Sequence, residues 1–153
     1  MRDVLNFGVL AAVAGGAAFG LVTAIEGVLG RRVGPLNASL LEHIAAGAVS
    51  ILLLVIVLAR GSFTAQTART GLPLAALGGV VVVVAVVGIA YALPRIGVFA
   101  GNTAIVFGQM AIAVLIDTAG LGGYERIPLT WTRVLGLLLL AAGVYLVLPR
   151  TQQ

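Results

Sequence analysis

Glu26, Glu42 and His43 are the side chains of this sequence best suited to taking up and releasing a proton or to holding a cation. All three lie in one stretch, "TAIEGVLGRRVGPLNASLLEHIAAG", which spans residues 23–47 and also carries Arg31 and Arg32. Ionisable groups inside apolar segments mark proton relays and cation pathways. A carboxylate that binds either a proton or a cationic solute couples the two fluxes, because each ligand must leave before the other binds. Structural roles compete with that reading. Glu26 could reach the membrane interface or pair with Arg31 or Arg32, and Glu42 and His43 could hydrogen-bond to Ser39, which precedes them on the same helical side. Neighbouring helix positions point about 100° apart, so Glu42 and His43 cannot both point straight into one cavity.

Tyr91, Asn102 and Thr103 fall at a similar depth in later segments, and Gln109 shares a helical face with Asn102. A buried amide must find partners, so Asn102 and Gln109 either bridge helices or line a wet cavity. Asp117 precedes a Gly-rich turn and is expected to cap it or to pair with Arg126 or Arg133, while Trp131 reads as an interfacial anchor. Other chemistries lack their residues. Cysteine is absent, which excludes disulfides, thiolate metal sites and thiol nucleophiles. A single histidine with scattered carboxylates makes a poor metal site, and no Ser/His/Asp arrangement or phosphate-binding loop occurs. The expectation is a non-enzyme without cofactor or metal.

Membrane helices must position these residues. Charged residues make up 9% of the chain and hydrophobic ones 61%, whereas about 25% of a soluble domain is charged. Mean hydropathy is +1.17. Apolar runs of about 20 residues recur, each long enough to cross about 30 Å of hydrocarbon as a helix. The sequence therefore reads as an all-α integral membrane protein with five transmembrane helices, at about 4–29, 36–59, 72–93, 98–116 and 131–148, in a single membrane domain over residues 1–153. "GRRVGP" and "PRIG" are expected turns, "RGSFTAQTARTG" a polar loop and "DTAGLGGYERIP" a Gly-rich loop. The first apolar run is too long for the core of a cleavable leader, about 7–15 residues. Arginines at segment ends carry the formal charge of +4, which suits topology and headgroup contacts rather than nucleic acid.

In the first span Gly8, Ala12, Gly16, Gly20 and Ala24 recur at every fourth position, a smooth ridge on which a second helix can pack closely. Ala75 with Gly79, and Gly97 with Gly101, repeat the device. An ionisable group at the bilayer centre costs about 2.5–3.5 kcal/mol, and the run "ILLLVIVL" offsets about 2–5 kcal/mol of such cost. The second span thus tolerates about one buried charge, so Glu42 or His43 is expected to be neutral, paired or facing water. Five spans would put Arg2, Arg60, Arg69, Arg126 and Arg133 on one side, against Arg31, Arg32, Arg95 and Arg150 on the other. That near balance selects no orientation. Either some arginines sit too deep to count, or copies insert both ways and pair antiparallel.

The C-terminal half, "GQMAIAVLIDTAGLGGYERIPLTWTRVLGLLLLAAGVYLVL", sets out "GQ", six apolar residues, "ID", a Gly-rich turn and then "R--G-LLL-AGV-L". In this order it resembles the YdcZ family of small inner-membrane exporters in the drug/metabolite transporter (DMT) superfamily, and "GVLGRRVGPLNASLL" is similar to that family's first helical hairpin. The resemblance implies a multi-pass protein of the prokaryotic inner (plasma) membrane. It also implies transport by a bundle of two five-helix units in opposite orientations, this chain being half of an inverted-repeat DMT-like bundle. The sequence departs from the family pattern at Glu26, where asparagine is more usual, at Glu42 and His43, where Ser-Phe is more usual, and at Thr118, where histidine is more common.

Residues and resemblance together lead to the expectation of a small membrane transporter. It would be a proton-coupled exporter of a small polar or cationic solute, surrounded by membrane lipid, and would act as an antiparallel homodimer or paired with a close homologue. The alternatives are a non-transporting membrane subunit that docks a partner through its Gly-rich helix faces, and a passive channel.

Overall fold

The structure, a computed structural model, describes residues 2–123 and 125–149. Its elements are α1 (Arg2–Val33), α2 (Pro35–Ala59), α3 (Ala65–Ile96), α4 (Val98–Ala119), a 3-10 turn at Leu121–Gly123 and α5 (Trp131–Val147). Four segments are long and apolar enough to cross a membrane: Phe7–Val33, Pro35–Ala59, Ala65–Ile96 and Val98–Ala119. The fifth helix has 17 residues, about 25 Å of rise, somewhat short of a hydrocarbon core of about 30 Å. Large apolar side chains such as Ile51, Leu52, Leu53 and Val55 stand exposed along α2. A surface of that kind suits lipid, and helices are the form in which a chain satisfies its own backbone there.

Two connections are tighter than the expected turns. One residue, Gly34, separates α1 from α2, and one residue, Gly97, separates α3 from α4. Their backbone angles nearly coincide, φ 84 and ψ 156 at Gly34 and φ 82 and ψ 159 at Gly97, in a region that only glycine enters without strain. Pro35 then opens α2, where its missing N–H is no loss. The third helix also starts earlier than the apolar run that announced it. Within the expected polar loop, the Thr67 N–H donates to Thr64 Oγ1 (3.2 Å) and the Thr64 N–H to Thr67 Oγ1 (3.4 Å). This reciprocal cap carries helix through the polar residues from Ala65 onward.

The chain divides into two compact units, Met1–Gly20 with Arg95–Gln153, and Leu21–Pro94. In the second unit α1, α2 and α3 bury a small core. Its residues are Thr23, Glu26, Gly27 and Gly30 of α1, Ala38 and Ser39 of α2, and Val86, Ala90 and Leu93 of α3. The spacings on α1 and α3 are those of one helical face. Close approach is built in: a methyl added at Gly30 would run into the Ala90 carbonyl and lie 3.2 Å from its Cβ, and one at Gly27 would lie 3.1 Å from Leu93 Cβ. Bare backbone at these glycines is what lets α1 and α3 touch.

In the first unit α4 packs along α5. Gly120, with φ 67, ends α4 in the left-handed conformation, a common helix stop. The Gly-rich loop and the first turn of α5 reach back to that end: Ile127 N–H donates to the Asp117 carbonyl (2.9 Å), Arg126 Nε to the Thr118 carbonyl (2.9 Å) and Arg133 of α5 to Asp117 Oδ2 (3.1 Å).

Candidate functional site

Glu26 sits between Thr23 and Gly30 on the packed face of α1 and is 1% exposed. It is held in the core rather than reaching for the interface, and Arg31 and Arg32 lie exposed at the helix end. Across from it, Glu42 is half-buried on α2, and the two carboxyl groups meet as hydrogen-bonding and electrostatic partners. The Gly34 connection makes this possible by folding α2 directly back along α1. On each carboxyl one oxygen, Oε2, is buried and has no hydrogen-bond partner. An ionised carboxylate only accepts hydrogen bonds, so a bond between two of them needs one proton. A pair holding one proton keeps one negative charge, in a setting of low dielectric where like charges repel strongly.

His43 takes another direction, as the angle between adjacent helix positions requires. Its Nδ1 lies 2.7 Å from the Ser39 carbonyl oxygen one turn earlier. A carbonyl oxygen can only accept, so Nδ1 donates. Ser39, fully buried, sends its hydroxyl to the Val83 carbonyl of α3 (3.3 Å). The expected link between Ser39 and His43 is therefore real but runs through the Ser39 backbone, while the Ser39 side chain ties α2 to α3.

Tyr91 on α3 is 54% exposed. Asn102 is half-buried on α4 and Gln109 is exposed there; both belong to the other unit, and Thr103 donates to its own helix at the Phe99 carbonyl (2.8 Å). Asp117 pairs with Arg133, one of the two expected partners, at the end of an otherwise apolar groove of about 480 Å³ between α4 and α5. Among the described residues no group of three or more potential metal ligands occurs.

On the ridge of α1, Gly8, Ala12 and Gly16 are exposed, Gly20 and Ala24 half-exposed, and a methyl at Gly8, Gly16 or Gly20 would meet nothing within 4 Å. Close helix contact within the chain instead uses Gly27 and Gly30. That pair escaped the reading for small residues spaced by four, because its spacing is three; Thr23, one turn before Glu26 on the same face, escaped it too.

The family model described as "Putative inner membrane exporter, YdcZ" matches residues 7–146. No curated protein and no solved structure matches the chain. With nearly the whole length covered by that match and four helices fit to cross a bilayer, the chain belongs to the YdcZ family of multi-pass inner membrane proteins.

Proposed function

We propose that this chain is a proton-coupled exporter of a small polar or cationic solute, and that the Glu26–Glu42 pair is its exchange site. One observation carries the reading: two carboxyl groups face each other in the buried core, each with an oxygen that has no partner. Burying such groups costs free energy unless something binds them. A pair that holds one proton and one negative charge takes one further positive charge, either a second proton or a monovalent organic cation. Competition between the two couples their movement in opposite directions. His43, one position beyond Glu42, is the proposed proton partner between the pair and water. The family description as an exporter supports transport in general.

The same reading has two copies act together in opposite orientations. It is supported by the near-even distribution of arginines and by the uncovered ridge at Gly8, Ala12 and Gly16. An equimolar pH jump across proteoliposomes, with a panel of small organic cations inside, tests the coupling. Flux should follow the proton gradient in the wild type and lose that dependence in Glu42→Gln. Gradient-driven flux unchanged in Glu42→Gln would remove the proposed site.

A further inference from the structure

The two single-glycine connections are not an isolated coincidence. Gly97 follows Gly34 by 63 residues, and that shift lays α1 onto α3 from end to end: Arg2–Val33 becomes Ala65–Ile96, each of 32 residues. Gly8, Gly15, Gly16 and Gly34 recur as Gly71, Gly78, Gly79 and Gly97, and Arg32 recurs as Arg95. Four pairs of buried positions follow the same shift, while Glu26, Ser39 and Ala100 are buried and their counterparts Ile89, Asn102 and Asn37 are not. Thr23, Gly27 and Gly30 become Val86, Ala90 and Leu93, all buried, and buried Ala38 becomes buried Gly101. The first turns match as well, Ala38 N–H bonding the Gly34 carbonyl and Gly101 N–H the Gly97 carbonyl, both at 2.9 Å.

Contacts between the helices obey an exchange of the two halves. Swapping each residue for its counterpart turns the Gly27–Leu93 contact into the Gly30–Ala90 contact, as a two-fold relation at the crossing of α1 and α3 demands. Applied to the bond from Ser39 to the Val83 carbonyl, the same swap predicts a bond from Asn102 to the Gly20 carbonyl.

We infer that residues 2–59 and 65–119 are two copies of one helix–glycine–helix unit, and that Asn102 is the second copy's inter-helix tie, its carboxamide donating to the Gly20 carbonyl as Ser39 donates to Val83. The acidic site then belongs to one copy alone. Glu26, Glu42 and His43 correspond to Ile89, Ile105 and Val106, so a copy of this unit folds with apolar residues at all three positions. The carboxyl groups are additions to the unit rather than requirements of it, and each chain holds one acidic pair.

Two measurements test this independently of transport. The chain has no cysteine, so introduced pairs report proximity directly. A short bifunctional thiol reagent should link Ser39→Cys with Val83→Cys, and Gly20→Cys with Asn102→Cys, to similar extents, and should not link Leu10→Cys with Asn102→Cys. Failure of the Gly20–Asn102 pair, or linkage of the Leu10 control, overturns the inference. In detergent, the double variant Glu26→Ile, Glu42→Ile should melt at or above the wild-type temperature, as when buried polar partners give way to apolar ones. A fall of about 5 °C or more would show that the fold needs the acids and contradict their absence from the unit's plan.

Discussion

Glu26 and Glu42, sixteen residues apart in sequence, meet carboxyl to carboxyl because Gly34 alone separates their helices. Glu26 is among the most buried side chains of the described residues, and the partnerless oxygens of the pair are both enclosed. Such an arrangement has no packing advantage over two aliphatic side chains. We propose that its use lies in what it can bind.

Packing around the pair depends on the crossing of α1 and α3. Gly30→Ala should destabilise the protein by about 1–3 kcal/mol, the usual cost of overpacking, since its methyl meets a backbone carbonyl that cannot step aside. Gly16→Ala, with open space around the added methyl, should leave the stability of the single chain unchanged or slightly raised. Thermal unfolding of the two variants in the same detergent checks the contrast, and an equal loss in both would contradict the packing described.

Gly34→Ala and Gly97→Ala should each cost about 1–3 kcal/mol, because both glycines hold conformations closed to residues with a Cβ. Similar losses at the two sites would match their nearly equal backbone angles. A harmless substitution at either would mean that its connection relaxes to another geometry.

Much of this was readable in the sequence, and the limits have physical reasons. Apolar length alone located the helices, since the hydrocarbon core sets a minimum run. It could not locate their ends. Thr64 and Thr67 continue α3 into polar sequence by capping, and α1 and α3 run on through Arg32 and Arg95 because one glycine suffices for reversal. Glu26 and Glu42 were legible as residues at a common depth. Their meeting was not, since it depends on the rotation of each helix about its axis, and that is set by which face carries Gly27, Gly30 and Ser39. Asp117 was legible with its two candidate arginines; Arg133 takes the carboxylate while Arg126 bonds the Thr118 carbonyl.

Insertion in both orientations is testable at the two ends of α3. Single cysteines replacing Gln66, in its first turn, and Arg95, in its last, should each be labelled by an impermeant thiol reagent in a fraction of molecules in intact cells. Full labelling at one position and none at the other would establish one orientation and exclude the antiparallel homodimer.

We propose that Glu26 and Glu42 share a proton, and infrared difference spectroscopy of the protein in lipid tests this without a known substrate. At neutral pH, where ordinary carboxyl groups are ionised, the wild type should show the carbonyl stretch of a protonated carboxylic acid, and the Glu26→Gln, Glu42→Gln double variant should lack that band. A band that persists unchanged in the double variant, or no such band in the wild type at neutral pH, would contradict a proton held between Glu26 and Glu42.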